Sequence, residues 1–164
     1  MAGIPNAPRT VIIGTGPEEP TLRKLATDLR VDVDFRGKAS TEQVRAAMRQ
    51  AVLIAIPSQT TSTGDMEGMP VVSVEAGASG RPVVGYRHSG LVDSVLDGQT
   101  GLLTDERDIS GLRDRITALL IDPDRRLAYS RAARTHVVAN FELTDCLKRL
   151  EMVYEAVLNR SARR

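Results

Sequence analysis

Two glutamates stand eight positions apart in Gly64-Asp65-Met66-Glu67-Gly68-Met69-Pro70-Val71-Val72-Ser73-Val74-Glu75, with a glycine, a proline and a short apolar run between them. Pro70 suits a first helical position, where its missing N–H is no loss and its fixed φ is already helical. Gly68 lets backbone approach a ligand with no Cβ in the way. With a helix opening at Pro70, Glu75 lies about one and a half turns in. Its side chain leans back toward the loop that carries Glu67, because helical side chains tilt toward the N-terminus. Two carboxylates would then share a small volume with unpaired N–H donors, a fit for a ligand with both hydroxyls and phosphates. Spacing alone supports a plainer reading equally well: acidic residues gather near helix N-termini because the macrodipole favours them there.

The elements that must hold these residues follow from the rest of the chain. Its 164 residues suffice for one domain with a real core, and 41% hydrophobic with 26% charged residues is ordinary globular composition. Twenty-two basic residues against twenty-one acidic, with no Trp, two Phe and three Tyr, give neither the charge nor the stacking platform of a nucleic-acid binder. No apolar run reaches membrane-spanning length, and the start lacks a signal-peptide pattern. A single cysteine, Cys146, excludes an internal disulfide and suits a reducing cytoplasm.

Residues 1–9 read as an extended Pro/Gly/Ala-rich leader, and residues 10–164 as one domain. Residues 10–13 form a β-branched strand that ends in Gly14-Thr15-Gly16-Pro17. Helical spacing follows over 18–29, with Leu22, Leu25, Ala26 and Leu29 on one side. A second strand, 31–35, closes at Gly37, and Ser40 or Thr41 caps a helix that turns Val44, Ala47 and Met48 inward. The run 52–56 is apolar throughout, as a strand covered on two faces requires. After the Ser/Thr-rich loop and the Pro70 helix come a strand at 82–85, the polar loop 86–90, a short helix near 91–96 and a last short strand at 102–103. From Ile109 on, the pattern is helical, broken at Asp122-Pro123; the final helix carries an apolar stripe of Leu143, Leu147, Leu150, Val153, Tyr154 and Val157, and Cys146 borders it as packing.

Strands alternating with helices over short loops give an α/β class, a Rossmann-like parallel sheet with helices on both faces and a helical tail. Ligands in such sheets sit at the carboxyl ends of the strands, where glycine and polar residues collect here. His88, on the loop after the fourth strand, fits either a ligand contact or a solvated loop position. His136, in a late helix, reads as structural. Asp32-Val33-Asp34 has the form of a metal motif but lies inside a strand, so it reads as surface alternation.

Gly14-Thr15-Gly16-Pro17, Phe35-Arg36-Gly37, Pro57-Ser58, the Glu67 and Glu75 pair, Gly80-Arg81-Pro82-Val83-Val84 and Asp97-Gly98-Gln99-Thr100-Gly101-Leu102-Leu103 occur in one order over about residues 10–155. Together they resemble the C-terminal, donor-binding domain of a retaining GT-B glycosyltransferase of glycosyltransferase family 4. The segment 64–70 with His88-Ser89-Gly90 is similar to its exopolysaccharide and colanic-acid-type branch.

The resemblance implies a role for each matching residue. Glu67 would lie beside the donor sugar as the catalytic glutamate, and Gly68, Met69, Pro70 and His88 at the sugar or diphosphate. Glu75 would hold the ribose hydroxyls, and Gly37 and Lys38 would meet the nucleobase. It implies a front-face transfer in which the protein stabilises developing charge, a UDP- or GDP-linked sugar as substrate, and no cofactor or metal. It also implies polysaccharide or glycolipid synthesis in the cytoplasm, or at the inner face of the membrane through peripheral contact of the full enzyme.

In that family one more strand and helix, carrying an Arg and a Lys for the diphosphate, precede the first strand seen here, together with an N-terminal acceptor domain. The expectation is therefore a donor-binding part that is inactive alone and pairs with a missing domain or partner subunit. The strands at Val11 and Val52 should either pair directly or leave a gap. A non-catalytic nucleotide-sugar-binding or subunit-pairing module is the second reading.

Overall fold

The computed structural model describes residues 1–4, 7–61, 63–66 and 68–161, the last without its side chain. Five parallel strands and seven helices follow one another: β1 (Thr10–Ile12), α1 (Glu19–Asp28), β2 (Val33–Phe35), α2 (Thr41–Gln50), β3 (Ile54–Ile56), α3 (Val71–Ala78), β4 (Val83–Tyr86), α4 (Leu91–Ser94), β5 (Gly101–Thr104), α5 (Ile109–Ile121), α6 (Pro123–Asn140) and α7 (Leu143–Ser161). The α/β alternation agrees with the sequence reading. The strand at Val52 is shorter than expected, starting at Ile54.

The sheet is split. β1 pairs with β2, Thr10 opposite Val33, while β3, β4 and β5 form a separate three-stranded sheet in that order. Of the two outcomes expected for β1 and β3, the structure has the gap: they share no ladder. Thr10 Oγ1 is buried without a hydrogen-bond partner among the described residues, a cost where no water reaches it.

The three-stranded sheet holds the core, and period-two alternation explains how. Val84 and Leu102 turn to one face, joining Ile116 and Leu119 of α5 and Tyr129 of α6. Val83 and Leu103 turn to the other, joining Ile56, Ala76 of α3, and Leu91 and Val95. Both faces of β4 are thus covered, as a buried parallel strand needs. The leader is not simply extended: Ile4 is buried in the first cluster, with Met1 and Ala7 packed against it.

The earlier helices are less engaged. α1 buries no residue, and Leu22, Leu25 and Leu29 are 41%, 49% and 51% exposed, so its apolar side is uncovered. α2 starts as expected at Ser40, whose hydroxyl accepts from the Gln43 amide while the Gln43 side chain accepts from the Ser40 amide. Of its three expected inward residues only Met48 is buried. Ala55 in β3 is also exposed, so that strand is not covered on both faces. The apolar stripe of α7, from Leu143 to Leu158, is exposed along its length. None of the described helices is long and apolar enough to cross a membrane.

Candidate functional site

The loops that follow β3, β4 and β5 converge at the carboxyl ends of those strands. Pro70 does not open α3 as its first helical residue; it caps it, with φ −65° and ψ 113°, and the helix begins at Val71. An extended ψ at Pro70 leaves its carbonyl free to accept from both the amide and the hydroxyl of Ser73, at 2.9 and 2.6 Å. Pro70 is buried while Gly68 and Met69 before it are exposed. The amides of these two have no acceptor among the described residues. Glu67, the residue on which the sugar contact was placed, lies outside the described residues.

Glu75 stands just over one turn into α3, half-buried, its carboxylate without a hydrogen bond or ion pair among the described residues. A partly shielded carboxylate with no partner among the described residues can accept hydrogen bonds from hydroxyls.

The loop after β4 is pressed onto this segment. The Gly90 amide donates to the Gly68 carbonyl at 3.2 Å. A hydroxyl pair, Ser73 Oγ to Ser94 Oγ at 2.6 Å, ties α3 to α4 below it. His88 is 3% exposed, so it is no solvated loop position. Its Nδ1 lies 3.1 Å from Glu106 Oε2, and its Nε2 is buried without a partner among the described residues. Glu106, on the loop after β5, also accepts from the Thr60 amide at 2.6 Å. That amide, more than anything else, holds the Glu106 carboxyl below its ordinary value, with His88 adding to it and partial desolvation opposing.

Sequence reasoning missed Glu106 and Thr60. Glu106 lies in the charged turn Asp105-Glu106-Arg107, where nothing separates it from a solvated charge.

Gly37 and Lys38 lie apart from this cluster. Gly37 has φ +62° and its carbonyl accepts from the Gly14 amide at 2.8 Å, joining the ends of β1 and β2. Lys38, exposed, lines a cavity of about 240 Å³ with Ile13, Arg36 and Gln43. No hydrogen bond or ion pair among the described residues links that loop to Gly68, Met69 or Glu75. A larger hollow of about 650 Å³ lies between Gly80 and α6, at the opposite end of α3 from Gly68.

The remaining sequence candidates are accounted for. Asp34 pairs with Arg36 at 2.8 Å and Arg9 at 3.7 Å, and the Arg36 hydrogen bond leads in lowering its carboxyl from the ordinary value; this is surface ion pairing inside β2. Arg87, on the polar loop 86–90, is engaged by Asp97, with Asp105 at 3.9 Å. His136 packs edge-on to Phe141 and bonds Asn140, a structural place.

Comparison with known proteins bears on the family and the fold. Residues 5–136 match the sequence profile of the family described as Glycosyl transferases group 1. A Mycobacterium tuberculosis GDP-mannose-dependent alpha-(1-6)-phosphatidylinositol monomannoside mannosyltransferase is 39% identical over 134 residues, 80% of this chain and 35% of that protein. The Escherichia coli K12 protein WcaL, named as a colanic acid biosynthesis glycosyltransferase, is 33% identical over 149 residues, 89% of this chain and 37% of that protein. The chain thus spans little more than a third of the length of these relatives. Anabaena Alr3699/HepE in complex with UDP-glucose superposes with a TM-score of 0.82 at 21% identity, covering 94% of this chain and 43% of that one. Sucrose-phosphate synthase from Thermosynechococcus elongatus gives 0.78 at 22% identity, covering 92% and 38%. Those likenesses carry the fold, that of GT-B glycosyltransferases. With the profile matching most of its length, the chain belongs to the group 1 glycosyl transferases.

Proposed function

We propose that this chain is the donor nucleotide-sugar-binding part of a retaining glycosyltransferase of glycolipid or polysaccharide synthesis, incomplete for transfer by itself. One observation carries the reading. The amides of Gly68 and Met69 are exposed and have no acceptor among the described residues, the loop that carries the buried His88 rests on these two residues through Gly90, and Glu75, on the helix that follows, has a carboxylate with no partner among the described residues. Relatives named for GDP-mannose and a fold neighbour complexed with UDP-glucose support a UDP- or GDP-linked sugar.

In this reading the amides of Gly68 and Met69, with the start of α3, hold the anionic diphosphate. Glu75 accepts from the ribose hydroxyls, and Gly37 and Lys38 border the base. Glu67 keeps the role the resemblance gives it, at the sugar. As the glycosidic bond to the diphosphate breaks and the acceptor hydroxyl attacks from the same side, the amides stabilise negative charge growing on the leaving oxygen. The chemistry needs no cofactor and no metal. An acceptor domain or partner subunit, matching the part of the relatives this chain does not span, completes the cleft, and the work is done in the cytoplasm at the membrane's inner face.

Calorimetry with UDP, GDP, UDP-glucose and GDP-mannose tests this. Wild type should bind one base series, and Glu75→Ala should lose about tenfold or more in affinity, as loss of a carboxylate bonding two hydroxyls would. Because Glu75 has no side-chain partner among the described residues, the variant's stability should stay within about 0.5 kcal/mol. Binding that is indifferent to Glu75→Ala would refute the ribose assignment; no binding in wild type would refute the function. The split sheet favours, as a second reading, a module that pairs with another subunit without catalysis. Transfer activity restored on adding the acceptor half would exclude it.

A further inference from the structure

Glu106 joins three loops that share no sequence neighbourhood. Its Oε1 accepts from the Thr60 amide at 2.6 Å, its Oε2 faces His88 Nδ1 at 3.1 Å, and Arg107 beside it donates to the Thr60 carbonyl at 3.2 Å. Arg107 has φ +67°, so the chain accepts an unfavourable backbone conformation at this junction. The Glu106 carboxyl is lowered from its ordinary value, chiefly by the Thr60 amide, and an ionised carboxylate only accepts. Nδ1 of His88 must therefore carry a proton. In the neutral ring this makes Nε2 a lone-pair acceptor, and Nε2 is buried with no hydrogen-bond partner among the described residues. A buried acceptor left unmet is costly in a folded protein, and a donor that reaches it recovers that cost. The loop that carries it rests on the Gly68 carbonyl through Gly90.

We propose that Glu106 is a positioning residue of the nucleotide-sugar site: it latches the Thr60 loop to the loop after β4 and fixes His88 as the tautomer whose Nε2 accepts a hydrogen bond from a hydroxyl of the donor sugar. The sugar hydroxyl rests on the function proposed above; the latch and the tautomer do not. Glu106→Gln separates the parts. The glutamine oxygen keeps the Thr60 amide, while its NH₂ now faces Nδ1 and drives the proton to Nε2, which becomes a donor.

Nitrogen-15 NMR of the imidazole in wild type and Glu106→Gln reads the tautomer directly, without ligand. Calorimetry with UDP, UDP-glucose, GDP and GDP-mannose reads its consequence. The expected result is a proton on Nδ1 in wild type and on Nε2 in the variant. Affinity for the nucleotide sugar should fall about five- to tenfold, the size of one hydrogen bond, with the nucleoside diphosphate within about twofold. Glu106→Ala should in addition speed amide exchange at Thr60. An unchanged tautomer would overturn the positioning role, as would an equal loss for diphosphate and sugar nucleotide. If wild type binds none of the four ligands the sugar contact is overturned with the function, and the tautomer and Thr60 exchange still decide the latch. Should Glu106→Ala not fold, the isosteric glutamine variant carries the test.

Discussion

Gly90 lies so close to Met69 that a Cβ built on it would stand 2.7 Å from the Met69 Cβ and 2.8 Å from its Cα. Gly90 has an ordinary φ of −70°, so contact, not backbone conformation, demands glycine here. Gly90→Ala should push the loop after β4 off Met69, because a backbone atom cannot yield as a side-chain end can. We expect a loss of about 1–3 kcal/mol in urea unfolding, typical of overpacking, together with weaker nucleotide-sugar binding. Wild-type stability in the variant would show that the two loops are not in firm contact.

Ser73 and Ser94 form a buried hydroxyl chain that ends on the Pro70 carbonyl. In Ser73→Ala the Ser94 hydroxyl can turn to the Leu91 carbonyl, 3.2 Å away, and Pro70 still accepts from the residue-73 amide. The cost should therefore lie near about 1 kcal/mol, the low end for a buried hydrogen bond. A double-mutant cycle with Ser94→Ala, followed by urea unfolding, should show the two losses to be less than additive.

Gly77 is where α3 meets α6: an added Cβ would fall 2.5 Å from Val137 Cγ2. Gly77→Ala gains helix propensity but overpacks, and a net loss of about 1–3 kcal/mol is expected. Val137→Ala removes the obstructing methyl groups, so the double variant should be more stable than the sum of the singles predicts. Thermal melts of the four proteins decide this.

Asp108 caps α5. The Gly111 amide leads in lowering its carboxyl from the ordinary value, followed by the Ser110 and Thr104 hydroxyls, with desolvation opposing. A native value below the unfolded one means the ionised cap stabilises the fold above about pH 4 and loses that contribution as pH falls through the native value. Asp108→Ala should lower the melting temperature at pH 7 by roughly 2–4 °C, the range for a lost cap in a chain of this size. The gap from wild type should narrow as melts are repeated below pH 4; a constant gap would refute the charge contribution.

The order of strands and helices was legible because turn residues punctuate apolar runs, as at Gly14, Gly37, Pro57 and Gly80. The Ser40 cap and the Asp122-Pro123 break were legible because capping chemistry is local. Pro70 misled by one position, since proline suits the cap of α3 as well as its first turn. Burial was harder to read. The spacing of Leu22, Leu25 and Leu29 announces an apolar face but not whether anything lies against it, and here they stay about half exposed. In the candidate site, Glu75 and Gly68 could be singled out from their own neighbourhood. The bond between Glu106 and Thr60 spans forty-six positions, and only the fold brings these residues together.

The break between β1 and β3 bears on how the molecule opens. A hydrogen-bonded ladder transmits cooperativity, and none runs from the first strand pair to the other three. The segment from Thr10 to Gln50, with Met48 its one buried helical residue, should exchange its amides as a weaker unit, ahead of the block built on β4. In the proposed function the base side of the ligand, at Gly37 and Lys38, belongs to the weak unit, and the sugar side, at Gly68 and Glu75, to the strong one. A bound nucleotide sugar would then act as a staple, and its arrival would register as slowed exchange in β1 and β2, away from the bond being broken.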